Sequence, residues 1–143
     1  LKGVWFIAPD QNKTDLQKTL DWCIVNDLND VTVLGATGKR EDHSLGNLHS
    51  LAEFSQKLKM KFFSDHAIIY SFKGKKTFSS LKGQQISIVS IEQVHSISTV
   101  GLKYELNSEP FPPSCSGISN EAISDKFTIE TMEPIWLFIN HFC

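Results

Sequence analysis

The sequence predicts an α/β unit followed by an all-β unit: a partial parallel sheet with its helices, then an antiparallel β-sandwich. Three observations lead there. Up to about Met60, short apolar runs alternate with stretches of helical period, the order that builds βαβ units and a parallel sheet. From about Lys61 the helical period disappears. Short β-rich runs follow one another, separated by Gly74, Gly83, Asn107-Ser108 and the Pro110/Pro112/Pro113 cluster, as in a sandwich or barrel. Finally, 143 residues with 41% hydrophobic and 21% charged side chains describe a globular chain. At this size such a chain buries roughly 68–70% of its surface. The division between the units is expected at 1–65 and 66–143.

The elements follow in order. "GVWFIA", ended by Pro9, is short and apolar, a buried strand. "TDLQKTLDWCIVNDL" places Leu16, Leu20, Cys23, Ile24 and Leu28 at helical spacing. Thr14 with Gln17 three positions on forms a capping-box pattern at its start. "VTVLGA" is β-branched and apolar, a second strand. The next helix is expected to open at Ser44, carry Leu45, Leu48, Leu51, Ala52 and Leu58 on one side, and close in the basic "KLKMK". In the second unit the expected strands are "KFFSD", "AIIYSF", "KKTFSS", "QISIVSI", "HSISTVGLKYEL", "KFTIETM" and "IWLFINHF". Trp5, Trp22 and Trp136 lie in apolar runs and are expected in the core.

Several function classes are excluded by composition. A net charge of −2 with both signs interspersed provides no basic stripe to hold nucleic acid. No apolar run approaches the ~18 residues that span a bilayer, so a soluble protein with no membrane partner is expected. "LKGVWFIAP" has no small-residue cleavage site and is not expected to be a signal peptide. Opening in a strand at Leu1 is expected of a fragment, or of a chain whose beginning is absent. Cys23, Cys115 and Cys143 are odd in number and lack C-x-x-C spacing, as expected of reduced thiols in a cytoplasmic protein. The five histidines show no metal spacing, and neither a Ser-His-Asp nor a Cys-His arrangement is arguable.

Three loops carry candidate chemistry. In "PDQNKTD", residues 9–15, the residues Asp10, Gln11, Thr14 and Asp15 fall at the carboxyl end of the first expected strand, where open α/β sheets bind ligands. Asp15 lies in the first helical turn. It is either a dipole-stabilised surface acid or a carboxylate for a hard cation such as Mg²⁺, which takes one or two carboxylates plus substrate phosphates. In "GATGKRED", Gly35 and Gly38 let backbone N–H groups approach an anion, Arg40 offers a planar fork and Lys39 a point charge. The spacing matches neither the Walker nor the dinucleotide pattern, so a solvated turn and a phosphate cradle both stand. What favours the cradle is the conjunction of an acidic and a basic loop at equivalent strand ends. The third loop, "GISNE", sets Ser119 and Asn120 either in a turn or against a heterocycle.

Together, "PDQNKTDLQKTL" (9–20), "GATGKREDHSLGNLHSL" (35–51), "VGLKYEL" (100–106) and "SGISNE" (116–121) resemble the thiamine pyrophosphokinase family, in its order and approximate spacing. The resemblance implies an α/β domain followed by a β-sandwich domain, used as a homodimer with interfacial active sites. It implies Mg²⁺-dependent transfer of pyrophosphate from ATP to thiamine, giving thiamine diphosphate and AMP. On that resemblance Asp15 binds Mg²⁺, and Asp15, Arg40 and Asp42 are the catalytic set. Gln11 and Thr14 lie against the ATP phosphates or thiamine's reacting end, Gly38 and Arg40 against the phosphates, and Ser119 and Asn120 lie in the thiamine pocket. The family also has an N-terminal segment with an acidic Gly-Asp-x-Asp-Ser type motif, and this sequence begins after it. A chain of these residues alone is therefore expected to catalyse poorly and to expose a sheet edge. The alternative is a non-catalytic thiamine- or nucleotide-binding module.

Overall fold

A computed structural model describes residues 10–114 and 116–142. The expected strand "GVWFIA", with Trp5, and the thiols Cys115 and Cys143 lie outside the described residues. Among the described residues two helices and eight strands follow in the order α1 (Asp15–Val25), β1 (Asp30–Leu34), α2 (Glu41–Phe54), β2 (Lys59–Phe63), β3 (Ala67–Ser79), β4 (Gln85–Ser90), β5 (Val94–Val100), β6 (Asn107–Phe111), β7 (Asn120–Glu121) and β8 (Lys126–Asn140).

α1 begins as its sequence predicts. The Thr14 hydroxyl accepts from Gln17 N–H at 3.3 Å and the Gln17 side chain accepts from Thr14 N–H at 3.1 Å, closing the capping box. The helix ends three residues before Leu28, which is exposed. α2 departs from expectation at both ends. It starts at Glu41, with Arg40 at the N-cap, because Glu41 and Asp42 put acidic charge in the first turn. Ser44 is interior: its hydroxyl donates to the Arg40 carbonyl at 2.9 Å, a bond back along the helix rather than a cap. Nor does "KLKMK" close the helix. Lys59 to Phe63 form β2, whose alternating Met60 and Phe62 are buried.

β1 and β2 pair in parallel, from Asp30 opposite Lys59 to Leu34 opposite Phe63. The sheet then continues antiparallel in the order β1-β2-β3-β8-β4-β7, with β5 pairing β8 and β6 pairing β5. β3 and β8 are the long central ribbon. "AIIYSF" and "KKTFSS" are one strand, bent at the irregularity between Phe72 and Gly74, where Gly74 takes φ +84°. "KFTIETM" and "IWLFINHF" likewise form one strand, β8. One half of this ribbon pairs with β4 and the other with β5, so the sheet folds over itself into a sandwich.

Two apolar clusters result. Ile86, Ile88, Ile97, Phe127, Ile129 and Leu137 fill the sandwich. Leu20, Leu51, Phe54, Met60, Phe62 and Trp136 join the helices to the sheet. Trp136, 7% exposed, donates from Nε1 to the Leu48 carbonyl of α2 at 2.9 Å and meets the His49 ring edge-on at 5.2 Å.

Candidate functional site

The parallel pair fixes where one of the two charged loops lies. β1 ends at Leu34, and the following loop, 35–40, runs straight into the N-terminus of α2. The loop before α1 approaches the same helix end. Gln11, Thr14 and Asp15 of that loop and Asp42 of α2 line one open cleft of about 500 Å³, with His43 and Asn47 between them. Beside it, Gly35, Ala36, Thr37, Lys39 and Arg40 line a smaller hollow of about 200 Å³. His43 and Asn47, four residues apart on α2, belong to both. Sequence reasoning left these two out. Their i, i+4 spacing on the helix behind the loop was the available signal.

Local bonding gives each side chain its present task. Asn12 N–H donates to Asp10 at 2.8 Å, turning the chain into α1. Asp15 is fully exposed, with Lys18 3.5 Å away. Arg40 grips Asp42 through a two-point bond, Nε to Oδ1 at 3.1 Å and Nη2 to Oδ2 at 2.6 Å. Asp42 also accepts from His43 N–H at 2.9 Å. The Arg40 bond, and then the His43 N–H, hold the Asp42 carboxyl below its ordinary range. The 35–40 loop is tied to the helix by Asn47, whose amide donates to the Ala36 carbonyl at 2.8 Å. Gly38 takes φ +100°, so it shapes the turn, though it is absent from the residues lining either hollow.

A third hollow, of about 230 Å³, lies in the sandwich between Tyr104, Glu105, Pro110, Phe111 and Asn120. Asn120 is 8% exposed and committed to the backbone: its carbonyl accepts from Tyr104 N–H at 3.1 Å and its amide donates to the Tyr104 carbonyl at 2.7 Å. It therefore fixes the Tyr104 turn at the rim. Ser119 sits at φ +61°, its N–H donating to the Ser87 hydroxyl at 3.1 Å, and it is not among the lining residues. Gly117 admits nothing larger, since a Cβ would fall 2.3 Å from the Ile88 carbonyl oxygen.

Among the described residues no three His, Cys, Asp or Glu side chains cluster as a metal site. The donor chemistry in the cleft still suits a hard cation held largely by ligand phosphates, because Asp15 is an exposed carboxylate at its edge. No described helix is long and apolar enough to cross a membrane.

The description "Thiamin pyrophosphokinase, catalytic domain" matches residues 4–63, and "Thiamin pyrophosphokinase, vitamin B1 binding domain" matches residues 70–136. Thiamine pyrophosphokinase of Bacillus subtilis is 28% identical over 135 residues, covering 91% of this chain and 63% of that protein. Thiamin pyrophosphokinase 1 of Caenorhabditis elegans is 30% identical over 112 residues, 70% of this chain and 46% of that protein. This chain thus spans about half to two thirds of the length of these relatives. The crystal structure of the B. subtilis thiamine pyrophosphokinase superposes with a TM-score of 0.84 at 25% identity, over 94% of this chain and 66% of that one. That of Candida albicans thiamin pyrophosphokinase, at 17% identity, shares the fold with a TM-score of 0.70 over 79% of this chain and 44% of that one. Both halves of this chain, in the same order, match one family, and so it belongs to the thiamin pyrophosphokinases.

Proposed function

We propose that this chain takes part in Mg²⁺-dependent pyrophosphoryl transfer from ATP to thiamine, giving thiamine diphosphate and AMP. The observation that carries the reading is the cleft in which Gln11, Thr14, Asp15 and Asp42 meet beside the Arg40 loop. Supporting it, the family descriptions match the catalytic and vitamin B1-binding parts in sequence order. In this reading the part up to residue 65 handles nucleotide and metal, and residues 66–143 handle thiamine.

The hydroxyethyl oxygen of thiamine attacks the β-phosphorus of ATP. A new P–O bond forms, the bond to the bridging α–β oxygen breaks, AMP leaves, and the hydroxyl proton passes to solvent. The protein's share is positioning and charge. Arg40 turns its fork from Asp42 to the phosphates, since the pair it leaves is exposed and weakly bound. Gln11 and the Gly38 turn steady the phosphate chain. Thr14 contributes by capping α1 and so holding Asp15 in place. Asp15 would supply a carboxylate to Mg²⁺, which would neutralise phosphate charge when bound. Asn120 and Ser119 shape the thiamine pocket around Tyr104. The sandwich hollow and the cleft lie in different halves of the chain, which favours a homodimer whose sites are completed between subunits. Cytoplasmic residence accords with ATP as donor.

The test is AMP formation from ATP and Mg²⁺ with and without thiamine, alongside calorimetric titration of each substrate. Thiamine-dependent AMP release, slow in a chain of these residues alone and abolished by Asp15→Asn, is the expected result. Binding of both substrates without AMP release would point instead to a non-catalytic binding module, and absence of binding would overturn the assignment of the cleft.

A further inference from the structure

The cleft lies at the carboxyl ends of the parallel strands, but a separate cavity of about 640 Å³ opens at their opposite ends, where Asp30 and Lys59 begin β1 and β2. Its origin is a parting of strands. β2 and β3 pair only at Phe62–Ile69 and Phe63–Ile68. Continuing that register would set Lys61 against Tyr70 and Met60 against Ser71. The β2–β3 pairing stops short of them, and these four residues, each paired only on its other edge with β1 or β8, line the gap.

The gap is chemically two-sided. Leu58, Met60 and Phe78 supply apolar wall, and Tyr70 supplies a ring whose hydroxyl burial keeps protonated. Lys57, Lys59, Lys61 and Lys76 supply four positive charges against one aspartate, Asp30, which Lys59 already engages at 2.6 Å. Three charges are left without an acidic partner in the cavity lining. Deep in the gap Ser71 is 3% exposed, and its hydroxyl has no hydrogen-bond partner. A buried hydroxyl left unsatisfied is costly, so something polar is expected to meet it.

We propose that this cavity is a second small-molecule site for a ligand with an apolar or aromatic body and a phosphate-like anionic head. The volume falls in the range of ligand pockets and far exceeds the space of a lone phosphate. The apolar wall takes the body, the lysines draw in the head, and Ser71 donates to one of its oxygens. The site shares no lining residue with the cleft and does not depend on the function proposed for it.

Phenyl phosphate carries both features and is the probe. Titrated into the ¹⁵N-labelled chain, it should give saturable amide shifts at residues 58–61, 70–71 and 76–78. Phenol or inorganic phosphate alone should bind at least ~10-fold more weakly, because each lacks one half of the recognition. Lys57→Glu with Lys76→Glu, both exposed and expected to leave the fold intact, should abolish saturation. Ser71→Ala should weaken binding by about 10-fold, the loss of a bond to a charged acceptor. Arg40→Ala should leave these shifts unchanged. Shifts confined to residues 11–15 and 40–47, no saturable shifts, or unaltered affinity in the lysine or Ser71 variants would overturn the proposal and leave the hydroxyl to an ordered water.

Discussion

Arg40 and Asp42 show how little energy separates a resting contact from a working one. Both side chains are more than half exposed, so their mutual bond is weak and can be exchanged for a phosphate. Because the carboxyl of Asp42 is held low, its contribution to stability is present at neutral pH and is lost as the pH falls through and below the ordinary aspartate range. A carbon-detected NMR titration of Asp42 should give a midpoint below that of an unperturbed aspartate. Arg40→Ala should raise it, but only part of the way, because the His43 N–H still donates; an unmoved midpoint would mean the pair is absent in solution. In catalysis by the full-length protein Arg40→Ala should cost on the order of 10²-fold in rate, as for other single preorganised donors, and thiamine-dependent AMP release measures it. At this scale the sequence was informative where a residue's task is local. The Thr14–Gln17 box can be read from its spacing. The committed state of Asn120 cannot, since its partner Tyr104 is 16 residues away. Likewise His43 and Asn47 acquire meaning only once the loop before α1 folds against α2.

Strand and helix types followed from period, but their limits followed from partners. Lys59 to Phe63 alternate as a strand, yet the leucines before them have helical spacing, and only pairing with β1 decides the boundary. "NSEPF" contains turn formers and a proline, which reads as punctuation. It becomes β6 because it pairs with β5 at the sheet edge, where proline withholds no needed donor. In β3 the glycine at 74 reads as a break between two strands, whereas its positive φ lets one strand bend and continue. No atom lies within 4 Å of where a Cβ would stand, so the cost of Gly74→Ala is conformational alone. About 1–2 kcal/mol of stability should be lost in urea unfolding. A neutral result would show that the bend is accommodated without the left-handed backbone.

For the whole molecule, the sharp change of rhythm near residue 61 marks the passage from parallel to antiparallel pairing, and β2 pairs with β3 so that one sheet carries both. Trp136 adds a side-chain tie from the ribbon to α2, the helix that carries the Arg40 loop at its start. Trp136→Phe keeps an aromatic ring but removes the N–H. It should lower stability by about 1–3 kcal/mol and speed amide exchange in α2 more than in β4 or β5; equal acceleration everywhere would show that the tie acts on global stability only. The position of β8 in the chain has a different consequence. It is the middle partner of β3, β4 and β5, yet all three precede it in sequence. A ribosome therefore delivers the flanking strands first and their shared neighbour last. Until residues 126–140 emerge, β3 has only β2 beside it, β4 only β7 and β5 only β6, so each keeps one edge open, which makes a stalled nascent chain a natural client for chaperones.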